Sequence, residues 1–284
     1  MGNPRRIYTQ EEKELILKEY VENKKSLHYC SKLVHSNSDT VKKFLIENGV
    51  KVRNRAEALA NAGQKERKYP VNDNYFSESN EKMAYLIGFI AADGNVSKKY
   101  HNLTITLSEV DIDFLRQIKQ ELGGREVKTY QNQDGFSFCT WSCASRQIRE
   151  DLEKYNIIPN KTFSFTFPES LPKIFWKDFI RGYFDGDGSI YEDANGLRFS
   201  IGSTEEDILE KINQYFFENC QTSKQNVYKN KKQSIEYVLR YRTQDAINIF
   251  NHIYYKDCFC LPRKFNKYKE LIEKRKTSKR LHNL

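Results

Sequence analysis

Hydrophobic positions recur along the chain with two different periods. Between residues 8 and 49 they fall at helical spacing in three short runs: Leu15, Ile16, Leu17, Tyr20 and Val21; Leu27 to Val34; and Val41 to Glu47. Each run follows a capping signal. Thr9 and Glu12 form a capping box, Ser26 caps the second run and Ser38 the third, with Gly49 as the C-terminal stop. Three short helices with short connections outline a helix-turn-helix unit. Its third helix would carry Lys42 and Lys43 into a DNA major groove, and Arg53 and Arg55 after it would reach phosphates. A helical cap that binds nothing is the alternative reading. From about Gly63 to Asp73 charge mixes with Pro70, a linker composition.

Beyond the linker the pattern repeats. Leu86-Ile87-Gly88-Phe89-Ile90-Ala91-Ala92-Asp93-Gly94 returns as Ile180-Arg181-Gly182-Tyr183-Phe184-Asp185-Gly186-Asp187-Gly188, an offset of 94 residues from Asp93 to Asp187. The same offset carries Leu103 to Leu107 onto Leu197 to Ile201, and Asp113-Phe114-Leu115 onto Asp207-Ile208-Leu209. Each copy predicts an apolar helix ending in Asp-Gly, an alternating strand, an amphipathic helix, two further strands and more helix. The later strands are expected at Arg125 to Tyr130 and Phe136 to Cys143, and again at Gln225 to Asn230 and Ile235 to Arg242. Ile158-Pro159-Asn160-Lys161 is then echoed by Leu261-Pro262-Arg263-Lys264, with the offset grown to 103 from Pro159 to Pro262.

Gly88 and Gly182 stand mid-helix, where glycine costs roughly 1 kcal/mol against alanine. Close approach of two helix backbones would justify them. Such packing brings Asp93 and Asp187 together at two helix C-termini, where the helix dipoles and mutual repulsion both disfavour carboxylates. Divalent cations between them relieve the conflict, and oxygen ligands without histidine or cysteine favour Mg²⁺ over zinc. Two such ions can promote phosphodiester hydrolysis. A single Asp-Gly between apolar runs would read as a hairpin turn; two copies in matched contexts favour chemistry. Asp185 has Ala91 as its repeat partner and is given a supporting role at most. Arg181 stands where the first copy has Ile87.

Composition narrows the partners. The 284 residues have room for two or three domains. The 47 Lys and Arg exceed 38 Asp and Glu, and this net charge of +9 favours a polyanionic partner. The six cysteines lack zinc-ligand or disulfide-framework spacing. No apolar run approaches the ~18 residues of a membrane span, and the N-terminus is polar. An intracellular protein, neither secreted nor membrane-bound, is expected.

The repeated motif resembles that of the LAGLIDADG homing endonucleases in their two-motif, single-chain form. The resemblance covers about residues 74 to 270, from Tyr75-Phe76 through both motif helices to the Pro-Lys segments. It implies an α+β fold: two pseudo-symmetric αββαββα units with curved antiparallel sheets, behind a small all-α helix-turn-helix domain. The expected divisions are 1–70, 71–170 and 171–284. It further implies an intron-encoded endonuclease, active as a monomer, that makes staggered cuts in a long double-stranded DNA site with Mg²⁺, for which Mn²⁺ substitutes. Asp93 and Asp187 become the metal ligands, with the Ala92 and Gly186 carbonyls beside them, and Lys161 and Lys264 the basic active-site residues. Each sheet would fill a major groove. Base or phosphate contacts are then expected from Thr104, Thr106, Lys128, Tyr130, Gln131 and Gln133 in the first unit. In the second they are expected from Arg198, Ser200, Lys224, Gln225, Tyr228, Lys229, Arg240 and Arg242. The basic run Lys267 to Arg280 would clamp phosphates or form a solvated tail. A non-cleaving DNA-binding regulator and an RNA maturase acting on its own intron are the competing readings on the same scaffold.

Overall fold

The computed structural model describes residues 7–54, 57–58, 67–97, 99–160, 164–194, 196–230 and 236–282, with Glu236 and residues 276–282 described through their backbone. The chain divides into two units, Met1–Lys68 and Tyr69–Leu284.

In the first unit, α1 (Gln10–Leu17) runs into a π-helical turn (Lys18–Glu22), followed by α2 (Leu27–Leu33) and α3 (Ser38–Glu47). Both arms of the Thr9–Glu12 capping box form, and Ser26 accepts from the Tyr29 amide. The cap of α3 lies one residue earlier than expected. Asn37 keeps an extended backbone and its Oδ1 accepts from the Thr40 amide at 2.8 Å, so Ser38 becomes the first helical residue. The helix ends in a Schellman motif: Gly49 turns to φ 72°, and the Val50 and Gly49 amides donate to the Leu45 and Ile46 carbonyls. Ile16, Tyr20, Cys30, Val41 and Leu45 form its core.

The second unit contains the αββαββα order twice. The first copy runs α4 (Glu81–Asp93), β1 (Gly94–Val96), β2 (Asn102–Ser108), α5 (Ile112–Leu122), β3 (Lys128–Gln131), β4 (Ser137–Ala144) and α6 (Arg146–Glu153). The second runs α7 (Trp176–Asp187), β5 (Gly188–Asp193), β6 (Gly196–Ser203), α8 (Glu206–Asn219), β7 (Tyr228–Asn230), β8 (Glu236–Arg242) and α9 (Thr243–Ile253); α10 (Pro262–His282) follows. The two antiparallel sheets have matching orders, β1-β2-β4-β3 and β5-β6-β8-β7. In β2 and β4 alternate residues are buried, Leu103, Ile105 and Leu107 beside Cys139, Trp141 and Cys143. The apolar face of α5, with Phe114, Leu115, Ile118 and Leu122, belongs to the same core.

β7 begins three residues later than the alternation suggests. The Gln225 amide donates to Asn213 Oδ1 and its carbonyl accepts from Asn213 Nδ2, so a side chain takes the bonds a ladder would have used. Among the described residues no helix is long and apolar enough to cross a membrane.

Candidate active site

The site is built from a seam between α4 and α7. A Cβ on Gly88 would lie 2.0 Å from the Phe179 carbonyl oxygen, and one on Gly182 would lie 1.9 Å from that of Tyr85. Phe179 and Tyr85 are themselves repeat partners, so the contact is reciprocal. The two helices meet backbone to backbone, as the mid-helix glycines require. At their C-terminal ends Gly186 faces Ala92, with its would-be Cβ 2.2 Å from the Ala92 methyl and 3.3 Å from Asp93 Oδ2. Asp93 and Asp187 are the last residues of their helices, and both are exposed to solvent.

Lys264, in the first turn of α10, reaches this end from below. It is buried, and its Nζ donates to the carbonyls of Phe184 (2.7 Å), Gly186 (3.0 Å) and Gly188 (2.5 Å), bracketing Asp187. An ammonium here offsets the negative end of the α7 dipole. Burial pushes its pKa down to about 8; Asp185, Asp93 and Asp187 act against that shift and Arg263 acts with it. The Gly186 carbonyl, expected beside a metal, thus already accepts one hydrogen bond. Lys161 lies outside the described residues.

Next to Lys264 is a polar network of which the sequence assigns only Asp185, and that to a supporting role at most. Asp178, Arg181 and Asp185 stand at i, i+3 and i+7 on α7, and all three are buried. Asp185 accepts from Tyr85 Oη (2.7 Å), Tyr254 Oη (2.5 Å) and the Leu261 amide (2.7 Å). Burial raises its pKa, against the lowering effect of those three donors. Arg181 donates from Nε to the Phe259 carbonyl and from Nη1 to that of Ile253, and pairs with Asp178 at 2.8 Å. Tyr255 Oη also donates to Asp178. Arg263 pairs with Asp111 of the first repeat at 3.2 Å. Charged residues at helical spacing on an otherwise apolar helix were the available signal.

Asp93, Asp187 and neighbouring main-chain carbonyls offer oxygen donors only, a set that fits a hard divalent cation such as Mg²⁺. Among the described residues, no three His, Cys, Asp or Glu side chains cluster as a metal site.

The expected nucleic-acid face divides by repeat. In the first, Thr106, Lys128, Tyr130, Gln131 and Gln133 are exposed and Thr104 half-buried; Tyr130 stacks on Phe138, and Thr106 bonds Thr140 across the strands. In the second, Lys224, Tyr228, Lys229, Arg240 and Arg242 are exposed. Arg198 and Ser200 are not: they are 5% and 8% exposed, which corrects their placement on an open face. β6 is flanked by β5 and β8, where Tyr191 and Arg242 stand beside Arg198 in register. Arg198 also folds back onto Asp193, with its Nε 2.8 Å from Oδ2. Gln225 is half-buried and held by Asn213, off the strand.

On the first unit Lys42 and Lys43 are exposed. Arg53 lies over the Tyr20 ring and donates to the Lys25 carbonyl, so it ties its own unit together; Arg55 is outside the described residues. The C-terminal basic run is part of α10, anchored by buried Tyr268 and Leu271 and by an Arg275–Glu192 ion pair.

Residues 80–137 and 177–254 match a family model described as a LAGLIDADG-like domain. Over 122 residues, 43% of this chain, the sequence is 29% identical to DNA-directed RNA polymerase subunit Rpo1C of Methanocaldococcus jannaschii, and the chain spans 14% of that relative's length. Among solved structures, the I-LtrWI LAGLIDADG homing endonuclease bound to target DNA is similar at 15% identity and TM-score 0.45, over 73% of this chain and 92% of that one. The N-terminal LAGLIDADG domain of DUF199/WhiA is similar at 16% identity and TM-score 0.43, over 65% and 88%. I-DmoI in complex with DNA and Mn is similar at 15% identity and TM-score 0.41, over 64% and 97%.

Proposed function

We propose that this chain, whose residues 80–137 and 177–254 match a LAGLIDADG-like domain, is a site-specific DNA endonuclease hydrolysing one phosphodiester in each strand of a long duplex target. The observation that carries the reading is the pair Asp93 and Asp187, exposed at the C-termini of two helices whose backbones touch. Two like charges at two negative helix ends repel each other and the helix dipoles, a cost that a bound cation would offset. A divalent cation, Mg²⁺ with Mn²⁺ as a substitute, supplies positive charge and an acidified water when bound. Asp93 and Asp187 would hold it, with the Ala92 and Gly186 carbonyls at hand.

This chain's own residues do the rest. Lys264 fixes the backbone on both sides of Asp187 and places a cation beside the phosphate's developing charge. Lys161 is assigned the equivalent role in the first half-site. Thr106, Lys128, Tyr130 and Gln131 on one sheet, and Tyr228, Lys229, Arg240 and Arg242 on the other, orient the duplex by phosphate and base contacts. Lys42 and Lys43 add contacts from a separate head, residues 1–70, ahead of repeats at 71–170 and 171–284. Both half-sites stand in one polypeptide, so the monomer is the active form, with a staggered cut and an intron as its genetic home.

The test is cleavage of a plasmid library of candidate insertion sites in Mg²⁺ by the wild type, Asp93→Asn and Asp187→Asn. The expected result is one long site cut in both strands by the wild type, with double-strand cutting abolished and binding retained in either variant. Site-specific binding without cleavage in Mg²⁺ or Mn²⁺ would overturn the reading in favour of a regulator or an RNA maturase.

A further inference from the structure

The motif helix of the second repeat carries a charged stripe where that of the first is apolar. At the positions of Asp178, Arg181 and Asp185 the first motif helix carries Ala84, Ile87 and Ala91, all buried and none able to bond a side chain. The charged stripe of α7 grips residues 253–261, the segment that leads into Lys264. Arg181 takes two of its carbonyls, Ile253 and Phe259. Asp178 takes the Tyr255 hydroxyl. Asp185 takes the Tyr254 hydroxyl and the Leu261 amide, three residues from Lys264. Burying these charges is costly unless every bond is kept. The grip covers the segment from end to end, and three residues beyond it the Lys264 side chain reaches the carbonyls around Asp187.

We infer that Asp178, Arg181 and Asp185 are positioning residues that fix the 253–261 segment and thereby aim Lys264 at the second half-site, so that the two strand cuts depend unequally on this buried network. The inference rests on the endonuclease reading for its strand-specific consequence, while the aim of Lys264 stands on geometry alone. Asp185 touches no reacting group. Its charge holds the Leu261 amide and the Tyr85 and Tyr254 hydroxyls, and it also favours the charged form of Lys264.

The experiment has two arms on the full chain, using the wild type, Asp185→Asn, Arg181→Lys and Arg181→Met. In the first, an amine-reactive acetylating reagent is added without DNA at a pH well above the Lys264 pKa, where the amine is neutral in every variant and the rate reports exposure, and modification of Lys264 is followed by mass spectrometry. Asp185→Asn and Arg181→Met are expected to expose Lys264 and raise its labelling rate about tenfold; Arg181→Lys, which keeps a cation, is expected to restore part of the protection. An unchanged rate in folded variants, checked by circular dichroism, would overturn the inference whether or not the protein cuts DNA.

In the second arm, a supercoiled plasmid bearing the target is followed through nicked to linear form. One strand is expected to be cut at the wild-type rate within about twofold and the other at least tenfold more slowly, so nicked circles accumulate. Equal slowing of both strands would show a general structural role and overturn the unequal dependence. A wild type that cuts no DNA while the labelling result holds would remove the nuclease reading and leave the aim of Lys264 standing.

Discussion

Along their shared seam α4 and α7 are equivalent, Gly88 against the Phe179 backbone and Gly182 against that of Tyr85. On the stripe behind it they part. α4 presents Ala84, Ile87 and Ala91, whereas α7 presents Asp178, Arg181 and Asp185, and the two sets are buried alike. Duplication has preserved what backbone contact demands of both copies and let the remaining face diverge. An apolar stripe needs only volume to fill, while a charged one needs each partner in place. The second repeat therefore gains a defined anchorage and becomes the more fragile copy.

The equivalence would break first at the glycines. Gly88→Ala and Gly182→Ala each drive a methyl into a carbonyl of the other helix, and backbone cannot rotate aside. Each is expected to cost on the order of 5 kcal/mol or more, beyond ordinary overpacking, and by similar amounts. Urea denaturation midpoints check this, and a wide gap between the two variants would show that the seam is not reciprocal.

The divergence is sharpened by a matched pair of substitutions. Arg181→Met strands Asp178 without its cation and is expected to cost about 3–5 kcal/mol. Ile87→Met at the equivalent place conserves volume and should cost under about 1.5 kcal/mol. Similar losses in equilibrium unfolding would mean that the buried pair adds nothing the apolar stripe lacks.

The smallest effect concerns pH. His252 of α9 lies against Tyr215 at 2.9 Å, and burial, helped by Lys177, lowers its pKa below the ordinary value, with Asp178 acting the other way. A histidine with a depressed folded pKa is neutral in the fold while the unfolded chain takes up a proton. Stability is thus lost as pH falls below about 6.5 toward the folded value. Partial exposure limits the change to a fall of about 1–2 °C in melting temperature, which His252→Gln should flatten.

What could be read from the chain beforehand was what its periodicity encodes. The 94-residue register from Leu86 to Ile212 marked both motif helices, their glycines and their terminal aspartates, and of these the glycines are what close helix packing imposes. Alternation in Leu103 to Leu107 marked β2. It did not reveal that alternate and intervening residues of β6 are both buried, since burial of Arg198 depends on its pairing with Asp193 and on β8, a strand remote in sequence. The same limit hid the grip on residues 253–261. Asp185 and Arg181 were visible as departures from the repeat, but their partners lie 72 to 78 residues further on for Arg181 and 69 to 100 residues away for Asp185. Arg53 misled for a related reason: a cation after a helix looks free until Tyr20 is seen beneath it.

The glycine seam also works as a gauge. Where two helices meet through interlocking side chains, their spacing drifts with each substitution and breathes with each rotamer change. Here the spacing is the thickness of two bare backbones, a dimension no mutation elsewhere can retune. Asp93 and Asp187, at the ends of these two helices, are spaced by that hard stop, so their pitch is inherited from the peptide unit itself.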